Sequence, residues 1–281
     1  MEHPLLVLLG QVLGSTFVVS AIGALAGASA GALGAQRVIE RAKRKDDLQK
    51  EIRNTNAAIM VAFTIANTAL GLKRQLVKPM QEKFQADLES FKKYLREREV
   101  GMRQGNAPYE LVADFKNFLP PAVPIDTLKK LVYEGISSAG KPLGIVALVD
   151  TAAVGLTHSL SERRRVIADL QANAFEGEDL VRRYLGHESA RGQTHREYAD
   201  LVDVISGYTD DLIYFSAALA DALTKHGNAV RSVYVEKYGT DVSNISSLDF
   251  SKVKATGLFP PDSNYASWSQ WVVERQENEA K

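Results

Sequence analysis

Few residues in this chain stand at spacings that could do chemistry. Gly135-Ile-Ser-Ser-Ala-Gly140-Lys141 carries the GxxxxGK spacing of a phosphate-cradling loop, and the apolar run from Ile145 to Asp150 imitates a strand ending in a magnesium-binding carboxylate. The match fails physically. Pro142 stands where a Ser or Thr hydroxyl would meet the metal. The segment before it, IDTLKKLVYE, has helical rather than strand periodicity. Nine residues from Lys141 to Asp150 leave no room for a helix and a crossover. The plainer expectation is a glycine-containing turn between two helices, with Pro142 at a first helical position.

Five histidines offer ligands or bases. His158 has Asp150 eight residues before it and His195 has Asp203 eight residues after it, so each pair falls roughly on one helix face. Neither forms HExxH or a compact cluster of ligands. His187 and His226 adjoin glycines, which reads as helix ends, where the dipole favours a cation. Asp210 and Asp211 are adjacent, so on a helix they point about 100° apart and do not converge on one atom. The chain has no Cys, which removes thiolate metal sites, disulfides and a Cys nucleophile. There is no GxSxG or GxGxxG. No catalytic, cofactor-binding or metal-ligating residue is therefore predicted. The 34 basic and 34 acidic residues cancel, which argues against a general nucleic-acid coat.

Proline placement punctuates the elements that would position these residues. Pro79 stands alone, Pro108, Pro120, Pro121 and Pro124 cluster, Pro142 follows, and none recurs before Pro260 and Pro261. Helices are expected from about Arg37 to Val77, with a kink or restart leading on to about Arg103, then after a cap at Asp126, from Pro142 to about Ala174, over Glu178 to Leu185, over Thr194 to Tyr238, and from Asp262 to Glu274 behind a cap at Asp262 or Ser263. The loop at 104–124 has room for one short helical turn. No alternating strand pattern stands out.

Residues 5–35 contain no charge, enough to span a bilayer as one tilted helix. Positive charge follows it, at Arg37, Arg41, Lys43, Arg44 and Lys45, rather than preceding it as in a cleaved signal peptide. That asymmetry predicts an uncleaved anchor with its N-terminus outside and the bulk cytoplasmic, in a bacterial inner membrane, with the five cations against the anionic leaflet. Gly23, Gly27 and Gly31 recur at spacing four, with Gly10 and Gly14 before them. A helix face without side chains admits a second backbone, so a homo-oligomer packed through a glycine-zipper-like helix is expected.

Two further apolar stretches approach the length of a membrane segment. Asn54 to Leu72 is long enough, but it carries Asn54, Asn56, Thr64, Asn67 and Thr68 and is flanked by basic residues on both sides, so a core helix is expected. Pro142 to Leu156 is short and contains Asp150, which suits a buried helix. Residues 37–103 hold 16 Lys or Arg against 9 Asp or Glu. Trp268 and Trp271 share a helix face and serve either docking onto the bundle or contact with a partner.

The expectation is an all-α protein: a transmembrane anchor over 1–36, a basic juxtamembrane helix or hairpin over 37–104, a Pro-rich loop over 105–125 and a helical domain over 126–281, forming an elongated cytoplasmic bundle. The function expected is that of a non-catalytic scaffold, sensor or effector subunit at the membrane. Its partners would be the bilayer, itself, and another membrane or cytoplasmic protein, with no nucleic acid and no cofactor. The alternative is a pore or channel subunit in which the glycine-rich helix, with or without Asn54 to Leu72, lines or seals a conduit and Asn56, Thr64 and Asn67 face water or a neighbouring helix, and a third reading is a tethered enzyme using His158 or His195.

Overall fold

The computed structural model describes residues 16–102, 109–137, 140–173, 175, 177–188 and 192–268. Among them the chain is all α-helical, without a strand. The helices are α1 (Thr16–Leu72), α2 (Lys78–Glu99), α3 (Ile125–Gly135), α4 (Lys141–Ala172), α5 (Glu178–Leu185), α6 (Glu197–Tyr238) and α7 (Ser251–Lys254), followed by a 3-10 turn at Asp262–Tyr265. They fall into two compact units, Met1–Lys50 with Arg231–Val242, and Glu51–Val230 with Ser243–Lys281.

α1 runs through the position where a break between anchor and basic helix was expected. No proline interrupts it, and its many Ala, Leu, Ile and Arg residues favour helix. It gives way to a π-helical turn at Lys73–Val77, where the Lys78 N–H donates to the Lys73 carbonyl. The cause is Pro79, which has no N–H and whose ring crowds the carbonyl four residues back; one widened turn absorbs both defects. This is the kink that the lone proline predicts.

The larger unit forms around the second half of α1. Ile52, Thr55, Ile59, Ala62, Ala66 and Ala69 are buried at alternating spacings of three and four, one face of a helix. Asn54 to Leu72 is thus a core helix. Its asparagines tie backbone: the Asn54 side chain donates to the Gly135 carbonyl at the end of α3, 2.9 Å, and Asn56 clasps the strap 243–250, donating to the Asn244 carbonyl and accepting from the Ser246 N–H. Thr64 bonds back to the Met60 carbonyl, and Asn67 is exposed. α4 buries Ile145, Val149, Ala152, Leu156, Arg163 and Ile167 along one face. α4 and α6 approach closely at Gly155, where a Cβ would lie 2.5 Å from the Tyr208 ring. Two stretches, Leu33–Glu99 and Lys141–Ala172, are long and apolar enough to cross a bilayer; 50% and 44% of their most apolar windows are buried inside the protein, as in core helices of the same composition.

Several expected boundaries move. α3 starts after Pro124, and Asp126 sits within its first turn without capping it. Residues 109–124 contain no helical turn. The terminal segment opens as a 3-10 turn behind Pro261, and neither Asp262 nor Ser263 caps it; the expected extension to Glu274 lies outside the described residues after position 268. The phosphate-loop imitation is a helix–helix turn: α3 ends at Gly135, Gly140 has φ +70° and Pro142 lies in the first turn of α4.

Candidate anion-binding cleft

In the smaller unit, residues 36–50 of α1 lie antiparallel to the end of α6. Gln49 Nε2 donates to the buried Tyr234 hydroxyl at 2.7 Å, and one turn later the Tyr238 hydroxyl donates to the Arg41 carbonyl at 3.4 Å. The Arg41 guanidinium lies 5.8 Å from the Tyr238 ring centroid, a cation–π distance. Arg37, Arg41 and Arg44 recur at spacings of four and three, hence on one helix face. With Lys237 and Tyr238 across from them they line a cleft of about 380 Å³. Glu40 is the single acidic side chain in its wall, and its Oε1 accepts from Gln36 Nε2 at 2.8 Å. Among the described residues no carboxylate lies in ion-pair contact with Arg37, Arg41, Arg44 or Lys237. Four cations facing one tethered carboxylate give the cleft a net positive charge that a bound anion would neutralise. Leu33, Val38 and Ile39, in the same turns of α1, are 59%, 68% and 66% exposed.

The basic residues singled out in the sequence divide here. Arg41 and Arg44 line the cleft with Arg37, Lys43 is exposed beside it, and Lys45 is half-buried. Lys237 and Tyr238 were not anticipated. They stand almost two hundred positions from Arg41, and only the pairing of the helices brings them there. Gly31 is exposed with open space where a Cβ would be. Gly23 and Gly27 lie on the helical backbone of α1, whereas Gly10 and Gly14 lie outside the described residues. Trp268 is half-buried, its ring 5.2 Å from Phe215 and 6.2 Å from Tyr214, with the Lys141 ammonium 5.9 Å from its centroid. That is docking onto the bundle. Trp271 lies outside the described residues.

Several titratable groups of the larger unit are committed to each other. His226 sits inside α6 rather than at a helix end, and its Nε2 donates to Glu51 Oε1 at 2.8 Å. The same oxygen accepts the Ser137 hydroxyl at 2.6 Å and the Ser137 N–H at 3.0 Å. Ser137 and His226 thus meet one carboxylate oxygen, an arrangement in which the imidazole does not receive the serine proton. Burial works to raise the Glu51 carboxyl, but the Ser137 and His226 hydrogen bonds prevail and hold it below the usual carboxylate value. Asp150 pairs with Lys129 at 2.8 Å while His158 is exposed, and His195 and Asp203 line different clefts. His187 follows Gly186, the left-handed cap of α5, as expected, and packs edge-on to Phe91. Asp210 pairs with Lys73, whereas Asp211 accepts from Tyr265 at 2.9 Å and is raised chiefly by burial. No three His, Asp or Glu side chains among the described residues converge as metal ligands.

Among the described residues the most deeply buried charge is Arg163, 1% exposed. Its guanidinium donates to the Lys116 and Asp114 carbonyls at 2.6 and 3.1 Å and to the Tyr198 hydroxyl at 2.9 Å, and it lies 4.6 Å from the Phe118 ring centroid. Tyr198 in turn donates to the Asp114 carbonyl at 3.0 Å. Arg163 fastens the loop 109–124 onto α4 and α6 with carbonyl dipoles in place of a carboxylate.

No protein family, curated protein or solved structure matches this chain.

Proposed function

We propose that this protein is a self-assembling membrane subunit, a scaffold or effector that performs no catalysis itself. The observation that supports it is α1, helical without a break from the uncharged stretch at Thr16 through exposed aliphatic and basic turns into the core at Ile52. An apolar segment, then exposed Leu33, Val38 and Ile39 among a cluster of cations, is the order a helix needs when leaving a bilayer through its headgroups. In this reading the N-terminus lies outside, the helical units lie in the cytoplasm of a bacterial inner membrane, and the anchors of several copies pack through Gly23, Gly27 and Gly31. Open space at Gly31 and Gly34 leaves that face free for a second helix.

The test is the mass of the full chain in mild detergent, beside Gly27→Leu. A defined oligomer that falls to monomer on substitution is expected. An unchanged oligomer moves assembly to the helical units, and a chain that stays in solution without detergent removes the membrane from the reading.

A further inference from the structure

We infer that the cleft between Arg37, Arg41, Arg44, Lys237 and Tyr238 binds a phosphomonoester, carried by an anionic lipid headgroup. The inference rests on the membrane reading for the source of the phosphate and on the cleft's own geometry for its chemistry. A helix that merely skims a charged surface needs cations spread along one side. Here cations from two helices face one concavity, and Tyr238 joins the walls by its hydrogen bond to Arg41. The depression, about 380 Å³, is open and its cations are exposed, which suits a headgroup presented at a surface.

The charge selects a dianion. Four unpaired cations outnumber the single carboxylate, Glu40, which Gln36 holds. A phosphodiester offers one negative charge, whereas a phosphomonoester offers nearly two and three equivalent acceptor oxygens, which match the planar forks of three arginines. The aliphatic side chains exposed in the same turns of α1 select a lipid over a soluble phosphate. Leu33, one turn before Arg37, would face acyl chains, and Val38 and Ile39, level with Arg37 and Arg41, would meet the interface where the arginines hold the headgroup.

The test is calorimetric titration of the full chain in neutral detergent with dioctanoyl-phosphatidate, and with dioctanoyl-phosphatidylglycerol and inorganic phosphate as comparators. Saturable phosphatidate binding is expected, with phosphatidylglycerol about tenfold weaker and the double variant R41Q/R44Q weaker by about tenfold or more. Glu40→Gln is expected to bind phosphatidate more tightly, a gain that a damaged fold does not produce. Equal binding of phosphatidylglycerol would reduce the cleft to unspecific surface charge and overturn the site. Inorganic phosphate binding as tightly as phosphatidate would overturn the lipid source. Unchanged binding in both R41Q/R44Q and Glu40→Gln would place the ligand elsewhere. Carbonate extraction of native membranes separates this from the membrane reading: a chain that is extracted yet binds phosphatidate loses the anchor and keeps the cleft, and a chain that resists extraction without selecting phosphatidate loses the cleft and keeps the anchor.

Discussion

α1 and α2 are both rich in basic residues, yet they use them in opposite ways. On α2, Lys78, Lys83, Lys92 and Lys93 each meet a Glu or Asp three or four residues away, and Arg98 reaches Glu178 at 2.8 Å. On α1, Arg37, Arg41 and Arg44 have no such partner among the described residues and stand together in a cleft. Individual glycines differ in the same way: Gly31 and Gly34 on α1 have empty space at the Cβ position, whereas Gly155 and Gly227 in the larger unit are pressed by Tyr208 and by Ile245 and Thr55. Charge excess counted along a sequence therefore says little about binding. What matters is which cations the fold has already neutralised.

The sharpest contrast with the unpaired α1 cations is Arg163, whose buried guanidinium is held through its terminal nitrogens by two carbonyls and a hydroxyl. Arg163→Ala takes the donor from the Lys116 carbonyl, leaves the Asp114 carbonyl and the Tyr198 hydroxyl with only their bond to each other, and opens a cavity, with an expected loss of about 3–5 kcal/mol in urea unfolding. Arg163→Met, which keeps volume, should recover part of that loss. If Arg163→Ala costs no more than a surface change, the loop 109–124 is not held by this residue.

Next in size is the glycine contrast. Gly155→Ala drives a methyl into the Tyr208 ring and should cost about 1–3 kcal/mol by thermal or chemical unfolding. Gly31→Ala meets no atom and should leave unfolding unchanged or raise helix stability by about 0.5–1 kcal/mol. Equal costs at the two sites would break the distinction between a filled and an open face.

The smallest effect is a difference in acid response between two carboxylates of the larger unit. Burial acts to raise Glu51, but the Ser137 and His226 hydrogen bonds hold it below its ordinary value of 4.5, so its stabilisation is complete above that pH and is lost as pH falls through the lower folded value. Asp211, raised above 3.8 chiefly by burial, has the opposite sign: the folded form binds a proton more readily, so its contribution to stability improves on acidification through that range. In unfolding measured from pH 7 to pH 3, Glu51→Gln should make the acid loss shallower and Asp211→Asn should make it steeper. The same direction for both variants would overturn the assignment.

Much of the fold was legible in the chain, because helix formation obeys local rules. Pro142 marked the start of α4, the helix over Glu178 to Leu185 was legible to the residue, and the lone Pro79 announced a kink where the π-helical turn stands. The buried face of 52–69 could be read from its three-and-four spacing. Helix caps were less legible: Asp126 and Asp262 have the right type but the wrong place, since the prolines before them already set the entry of the chain. His226 was misread for a related reason, because a following glycine marks a helix end only when packing does not hold the helix together beyond it.

The sequence by itself determined that this protein is helical, where its apolar and basic stretches fall, and that its histidines and carboxylates form no short-range catalytic motif. Only the tertiary structure decided which charges find partners. Glu51 meets His226 across 175 positions, Asn56 meets Ser246 across 190, and Lys237 with Tyr238 comes to face Arg41 because α1 and α6 run side by side. Pairing at spacing three or four is written in one helix and can be read from it. The unpaired state of Arg37, Arg41 and Arg44 depends on every element that could have brought a carboxylate to them and does not.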